Sequence, residues 1–180
     1  MREIDVNLIE NTVRDLCIKA NVVLPRSLEN CLTCSVMKEK SETGKEVLSD
    51  ICRNFKVAKE QNMAICQDTG MAVIFMEIGQ EVHFIGGNLE EAIHEGVRKG
   101  YVEGYLRKSV VGDPLLRVNT KDNTPAVIHT SIVPGEQVKI TVAPKGFGSE
   151  NMSRVCMLKP ADGEEGVKEV VLETVRLAGP

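Results

Sequence analysis

The densest group of chemically active side chains in the sequence is the segment Ile65-Cys66-Gln67-Asp68-Thr69-Gly70. It sets a soft sulfur ligand, an amide, a carboxylate and a hydroxyl side by side, and then a glycine that lets the backbone turn. A thiolate can bind iron, and adjacent Gln and Asp side chains can hold a small polar substrate or move a proton. A buried free cysteine followed by an Asx turn explains the same residues equally well, so residue chemistry alone leaves both interpretations open.

A second candidate is the glycine-bearing segment Lys145-Gly146-Phe147-Gly148-Ser149-Glu150-Asn151. Flexible backbone amides beside Lys, Ser and Asn suit an anionic ligand. Taken by itself, however, the segment favours an ordinary turn between a strand and a helix, because glycine is common there.

The six cysteines lie at positions 17, 31, 34, 52, 66 and 156, and nothing in the sequence signals export. Disulfides are therefore not expected, and the thiols are either buried or metal ligands. Cys17, Cys31 and Cys52 fit apolar helix stripes and are predicted to be core residues, and Cys156 is predicted to pack as well. Cys31-Leu32-Thr33-Cys34 is a CxxC, which leaves a redox or zinc protein as a minor alternative, but no second pair completes a zinc site.

The three histidines give little functional signal. His83 and His129 fall in strand-like runs and His94 falls on a predicted helix. Each is predicted to be an exposed or hydrogen-bonded structural residue.

Composition limits the classes of protein that remain. The chain has 180 residues and a formal net charge of −4 with no long basic run, which argues against a nucleic-acid partner. No stretch approaches the ~20 apolar residues of a membrane span, and Met1-Arg2-Glu3 does not open an apolar secretion segment. A cytoplasmic protein is expected.

Helical spacing predicts that residues 1–60 are helical. The first helix runs from Ile4 to about Ala20, and Ser27 caps a second helix with Leu28 and Cys31 on its inner face. A third helix places an apolar stripe inward over residues 47–58.

Residues 61–180 are predicted to mix strands and helices, which makes the fold class α+β. Met71 to Ile78 and Glu81 to Ile85 are expected to form a hairpin, and Val127 to Val133 and Gln137 to Val142 are two further strands separated by a turn. Asn88 and Glu91 form a capping box for a helix reaching roughly Leu106. That helix carries a row of small residues, which lets another element approach closely: Ala92, Gly96, Gly100 and Gly104. A last helix stops at Gly179-Pro180.

The motifs resemble, in order and spacing, the α subunit of class I fumarate hydratases and L(+)-tartrate dehydratases. They are the segment at 65–70, then Leu106-Arg107-Lys108-Ser109, the segment at 145–151, and Met157-Leu158-Lys159-Pro160. The resemblance covers nearly the whole chain. It implies an iron-sulfur hydro-lyase that interconverts fumarate and (S)-malate, with L(+)-tartrate dehydration as the alternative.

The resemblance also implies roles for individual residues. Cys66 is expected to be one ligand of a [4Fe-4S] cluster, and Gln67, Asp68, Arg107 and Gly148 to contact a dicarboxylate substrate, with Asp68 also catalytic. A bidentate Arg fork suits a carboxylate, although a cation at a helix C-terminus would explain Arg107 as well. The implied partner is a β subunit or β domain, within an oligomer.

The sequence departs from the family in two places. Phe147 replaces the middle glycine of a loop that usually reads Gly-Gly-Gly. The family's other two cluster cysteines lie further along, beyond a Gly-Pro like Gly179-Pro180, so the chain is expected to be an N-terminal portion that is inactive alone. A non-enzymatic alternative is an interaction module, with Cys66 buried and the small-residue row from Ala92 to Gly104 forming a docking face.

Overall fold

The computed structural model describes residues 1–179, and the side chains at positions 149 and 150 lie outside that description. The α+β fold is confirmed. The elements are β1 (Arg2–Asp5), α1 (Val6–Val22), α2 (Arg26–Lys38), α3 (Glu42–Gln61), β2 (Met71–Gly79), β3 (Val82–Ile85), α4 (Leu89–Glu103), β4 (Val127–Val133), β5 (Val138–Lys145) and α5 (Gly163–Ala178). They form two compact units that divide after Lys145. Every described helix is too short or too polar to span a bilayer.

The core of the first unit is built around the crossing of α1 and α4. Val13, Cys17, Val97 and Tyr101 are fully or almost fully buried there. The predicted row of small residues makes the crossing possible, because a methyl group placed on Gly96 would lie 2.5 Å from the carbonyl oxygen of Glu10. The row is therefore covered by α1 of the same chain, so the prediction that it forms a docking face for another protein is wrong.

The main sheet has three strands in the order β4-β2-β5. β2 lies in the middle, parallel to β4 and antiparallel to β5. Alternate β2 side chains are buried because one face of the sheet packs on the core; they are Ala72, Ile74 and Met76.

The predicted hairpin between β2 and β3 is wrong, because β3 pairs with β1 in a separate parallel sheet. The amides that follow β2 bond elsewhere: Gly79 N donates to the Gln137 carbonyl at 2.8 Å, and Gln80 N to the Val133 carbonyl at 2.8 Å. The connection between β4 and β5 thus takes the donors that a hairpin would use, and the chain turns away from β2.

The N-terminal helices are present, but their edges and faces differ from the prediction. Ile4 belongs to β1, and α1 begins at Val6, where the Asp5 carboxylate accepts from the Asn7 amide at 2.8 Å. Pro25 rather than Ser27 occupies the cap position of α2, and no side chain caps that helix.

The apolar stripes predicted for α2 and α3 are largely exposed. No α2 residue is buried, and on α3 only Phe55 and Ala58 are, because α2 packs chiefly on α3 rather than on the core. The core prediction holds for Cys17 and is wrong for Cys31 and Cys156, which are exposed, whereas Cys52 is half-buried.

Two later helices follow the sequence signals more closely. The Asn88 side chain accepts from the Glu91 amide at 3.0 Å, which confirms the Asn88 half of the capping box predicted for α4. α4 ends at Glu103 because Gly104 forms its C-terminal cap, so the predicted end near Leu106 is too late. α5 ends before Gly179, as predicted, and Pro180 lies outside the described residues.

We expect Gly96→Ala to lower the free energy of unfolding by about 1–3 kcal/mol, because overpacking at the helix crossing outweighs the roughly 1 kcal/mol that Ala gains in helix propensity. The new methyl group meets the backbone of Glu10, which cannot rotate away. Urea denaturation measures the change. Gly112→Ala is the matched control, because a methyl group there meets nothing closer than 3.8 Å. Equal stability of the two variants would contradict the close crossing.

Candidate functional site

The segment 65–70 connects α3 to β2 and is anchored at both ends. At its start, Ile65 N donates to the Asn21 carbonyl at 2.9 Å, and Asn54 Nδ2 donates to the Ile65 carbonyl at 2.8 Å. At its end, Thr69 and Gly70 are buried. Between these anchors Cys66 and Gln67 are exposed and Asp68 is half-buried. We call residues 66–68 the tip; it is a short exposed stretch held by a fixed backbone on either side.

The Cys66 sulfur lies at the exposed surface of the tip. Sγ donates to Gln67 Oε1 at 3.3 Å and accepts from the Asp68 amide at 3.5 Å. A sulfur at the exposed surface is accessible to a metal ion or to a solute. The alternative of a buried cysteine is therefore wrong for Cys66, although its second half holds: Asp68 Oδ1 accepts from the Gly70 amide at 3.1 Å, as in an Asx turn.

Cys17 shows how differently the same residue type behaves when it is buried. Its side chain is completely inaccessible in the α1 and α4 crossing, and burial raises the pKa of the thiol to about 12. A protonated, inaccessible thiol is a poor ligand and a poor nucleophile.

The far end of the segment is held by Tyr101 from α4. Tyr101 Oη donates to the Thr69 carbonyl at 2.8 Å, and the ring is almost completely buried. Burial raises the pKa of Tyr101 well above its usual value, so the hydroxyl keeps its proton and remains a donor. Sequence reasoning missed Tyr101, which only the tertiary contact identifies.

Arg107 lies beyond the C-terminal cap of α4 and is exposed. Thr69 Oγ1 donates to the Arg107 carbonyl at 2.9 Å, so the structure joins the backbone of this predicted site residue to the end of the 65–70 segment. The helix dipole acts within the last turn of a helix, and α4 ends at Glu103, so the dipole alone does not account for Arg107.

A second connection runs through Asn123, which is completely buried and has a φ of 63°. Its Nδ2 donates to the Gly70 carbonyl at 3.0 Å, and its Oδ1 accepts from the amides of Ser109 at 2.7 Å and Val110 at 3.2 Å. Sequence reasoning missed this residue as well. The available signal was the polar Asp-Asn-Thr-Pro run, since Asn tolerates a positive φ better than most residues.

Asp122 ties the loop that carries Asn123 to α4. Its Oδ2 accepts from Arg98 Nε at 3.0 Å, and its Oδ1 accepts from the Thr124 amide at 3.0 Å and the Thr124 hydroxyl at 2.8 Å. Burial acts to raise the pKa of Asp122, but the hydrogen bonds from Thr124 and Arg98 outweigh it and lower the pKa to about 2.

Gly148 belongs to the second compact unit, where it opens a short 3-10 turn, Gly148–Met152. A methyl group placed on it would meet nothing within 4 Å, so its backbone is accessible. Its predicted substrate contact stays a prediction.

The histidines have the structural surroundings that the sequence indicated. His94 Nδ1 accepts from the Ala126 amide at 3.3 Å, and the His129 ring stacks on Phe75 with centroids 5.1 Å apart. His83 is exposed on β3.

The predicted role of Cys66 as a metal ligand stays a prediction. Among the side chains that the structure describes, those of residues 1–148 and 151–179, no three His, Cys, Asp or Glu are grouped so as to hold a metal ion. The accessible Cys66 sulfur, beside the Asp68 amide, fits the role of a single ligand of a metal cluster. It does not by itself make a complete metal site.

Comparison with known proteins gives consistent matches. Residues 10–180 match the sequence profile described as "Fumarate hydratase (Fumerase)". The chain is 40% identical over 177 residues to the putative L(+)-tartrate dehydratase subunit alpha of Methanocaldococcus jannaschii, covering 95% of this chain and 62% of that protein. It is 35% identical over 144 residues to the anaerobic class I fumarate hydratase of Escherichia coli K12, covering 78% of this chain and 26% of that protein. The chain thus spans about three fifths of the first relative and a quarter of the second.

We expect Asp122→Asn to lower the free energy of unfolding by about 1–2 kcal/mol at pH 7, because it removes a hydrogen-bonded ion pair. The pKa of Asp122 is depressed in the folded state, so its contribution is complete above about pH 4 and is lost as the pH falls towards about 2. Urea denaturation at pH 7 and near pH 2.5 measures the free energy of unfolding of the variant and of the wild type. We expect the difference between the two to be smaller at the lower pH. Asp15→Asn, at a largely exposed carboxylate, is the control. If the stability difference between variant and wild type were the same at both pH values, the stabilising role of the ionised Asp122 carboxylate would be contradicted.

Proposed function

The chain belongs to the fumarate hydratase family, and on that premise we propose that it forms part of a cytoplasmic iron-sulfur hydro-lyase that adds water reversibly across the double bond of a four-carbon dicarboxylate. The observation that carries the proposal is the exposed tip of residues 66–68, held by a buried backbone that is hydrogen-bonded to Arg107. The Cys66 thiol, the Gln67 amide and the Asp68 carboxylate thus lie on one segment, and the Arg107 guanidinium lies on another. A hydrogen bond from Thr69 to the Arg107 carbonyl joins the two segments directly.

In this proposal Cys66 supplies one ligand of a [4Fe-4S] cluster. The support is its accessible sulfur and the amide that donates to it. The other ligands come from elsewhere in the complete enzyme, because the described residues offer no group of three. When bound, the cluster supplies an iron without a cysteine ligand, which polarises the substrate as a Lewis acid.

The remaining site residues bind and orient the substrate. The Arg107 guanidinium forms a bidentate pair with one carboxylate, and Gln67 donates its amide to a substrate oxygen. Asp68 carries a proton between water and the substrate carbon: in hydration one carbon gains a hydroxyl group and its neighbour gains a proton. The substrate contact predicted for Gly148, in the second unit, rests on the family resemblance alone.

Fumarate and (S)-malate are the proposed substrate pair. L(+)-tartrate is a second candidate, because the chain is 40% identical to a putative L(+)-tartrate dehydratase subunit alpha, although it is 27% identical to the L(+)-tartrate dehydratase subunit alpha of Escherichia coli UTI89 and 35% identical to the class I fumarate hydratase. The substrates differ by a hydroxyl group, which a site discriminates strongly only when it is built to hydrogen-bond that group. The names of two relatives as an alpha subunit support a second, β-type subunit as the partner, within an oligomer.

We expect Cys66→Ser in the complete enzyme, purified without oxygen and with its partner subunit, to lose the visible absorbance of the cluster and at least 99% of the hydration activity, because a hydroxyl group replaces the thiolate ligand. Absorption spectroscopy, iron content and turnover of fumarate and L(+)-tartrate measure the result. Cys31→Ser is the matched control, since Cys31 is equally exposed but lies on α2. A variant of Cys66 with normal iron content and activity would reject the proposal.

We expect Arg107→Lys to raise KM by about 10- to 100-fold, because a lysine cannot reproduce a bidentate carboxylate contact worth about 1.5–3 kcal/mol. Steady-state kinetics with both substrates measure the change. Arg53→Lys is the control: it makes the same substitution at an exposed position on α3, outside the proposed site, and leaves KM unchanged. An unchanged KM for Arg107→Lys would mean that the guanidinium does not bind the carboxylate.

A further inference from the structure

We infer that Asn123 is a positioning residue that fixes the tip of residues 66–68 relative to the segment carrying Arg107. Its side-chain hydrogen bonds run to backbone groups next to the tip and next to Arg107, and it acts through those groups. The catalytic part of this inference rests on the function proposed above, whereas the positioning itself is a property of the chain.

The single side-chain amide of Asn123 bridges two segments that are far apart in sequence. On one side it holds the carbonyl of Gly70, two residues after Asp68, and on the other the amides of Ser109 and Val110, just after Arg107. All these groups are buried or partly buried, so water does not replace a lost bond easily. Each proposed substrate-binding segment is therefore fixed within two or three residues of its functional side chain.

A second bond shows why the bridge controls orientation. Thr69 Oγ1 and the Arg107 carbonyl already connect the same two segments at 2.9 Å. One hydrogen bond acts as a pivot about which the segments can rotate, whereas a second set of bonds nearby fixes the angle between them. Without Asn123 the segments stay joined but lose a defined orientation, and a misplacement of about 1 Å in an active site can reduce rates about 100-fold.

Few residue types can replace the asparagine at position 123. The side chain donates from one end and accepts at the other, and the backbone has a φ of 63°, which Asn tolerates and most residues do not. Asn123→Asp keeps the size and the backbone preference. It keeps the acceptor for Ser109 and Val110, but an ionised carboxylate has no proton to donate to the Gly70 carbonyl.

Two measurements on Asn123→Asp test the inference at pH 7.5. In the full chain without a cluster, we expect amide hydrogen exchange in peptides covering 65–71 to become at least tenfold faster, while peptides from the buried face of α1 keep the wild-type rate. In the complete enzyme, kcat falls about 10- to 100-fold with a smaller change in KM. Asn11→Asp is the matched control, because Asn11 Nδ2 also donates to a backbone carbonyl, that of Asn7 at 2.8 Å, but at an exposed position on α1 outside both segments, and it leaves both measurements unchanged.

The outcomes separate the two claims. Unchanged exchange at 65–71, or an equal acceleration in every peptide, overturns the positioning role, because the first shows no coupling and the second shows only general destabilisation. Faster exchange confined to residues 65–71 together with a normal kcat overturns the claim that Asn123 contributes to catalysis. If the wild-type enzyme turns over neither substrate, the proposed function fails, and the exchange measurement still decides whether Asn123 fixes the tip.

Discussion

The close crossing of α1 and α4 is the constraint on which the first unit depends. Glycines on α4 let the two backbones approach, and a methyl group on Gly100 would lie 2.9 Å from the carbonyl oxygen of Arg14. α1 then presents the Asn21 carbonyl to Ile65, and α4 presents Tyr101 to Thr69. Both ends of the 65–70 segment are thus anchored to the same helix pair, so a change in the interhelical distance is transmitted to the tip.

Around this crossing, neutral buried groups hold the backbone, and the groups available for chemistry are exposed. Tyr101 and Asn123 are buried and uncharged, and they satisfy backbone carbonyls at the end of the segment. Buried polar groups that are fully hydrogen-bonded stabilise one conformation without the cost of burying a charge. Cys66 and Arg107 stay exposed, because the residues next to them anchor the backbone.

The sequence indicated the local features of this fold well, and the contacts between distant elements poorly. The Asn88 cap and the small-residue row were readable because capping and close packing leave signals within one turn of a helix. The β2 and β3 hairpin was predicted wrongly because the donors at Gly79 and Gln80 bond to a turn more than fifty residues later, which no local pattern encodes. The apolar stripe on α2 was real, but periodicity shows that a face is apolar and not what covers it. Cys66 was a candidate from its residue chemistry and Arg107 from a resemblance, whereas no pattern pointed to Asn123.

The crossing of α1 and α4 also has a consequence for synthesis of the chain. Residues 13 and 96 meet across it, and β1 pairs with β3, so β1 and α1 leave the ribosome before partners that lie about eighty residues further along the chain. At 5–20 residues per second that delay is on the order of 4–16 s, during which the apolar face of α1 has no native partner. Long-range pairings of this kind slow folding because loop closure comes before the contacts that stabilise it. The apolar face of α1 therefore stays uncovered in the nascent chain until α4 has been synthesised.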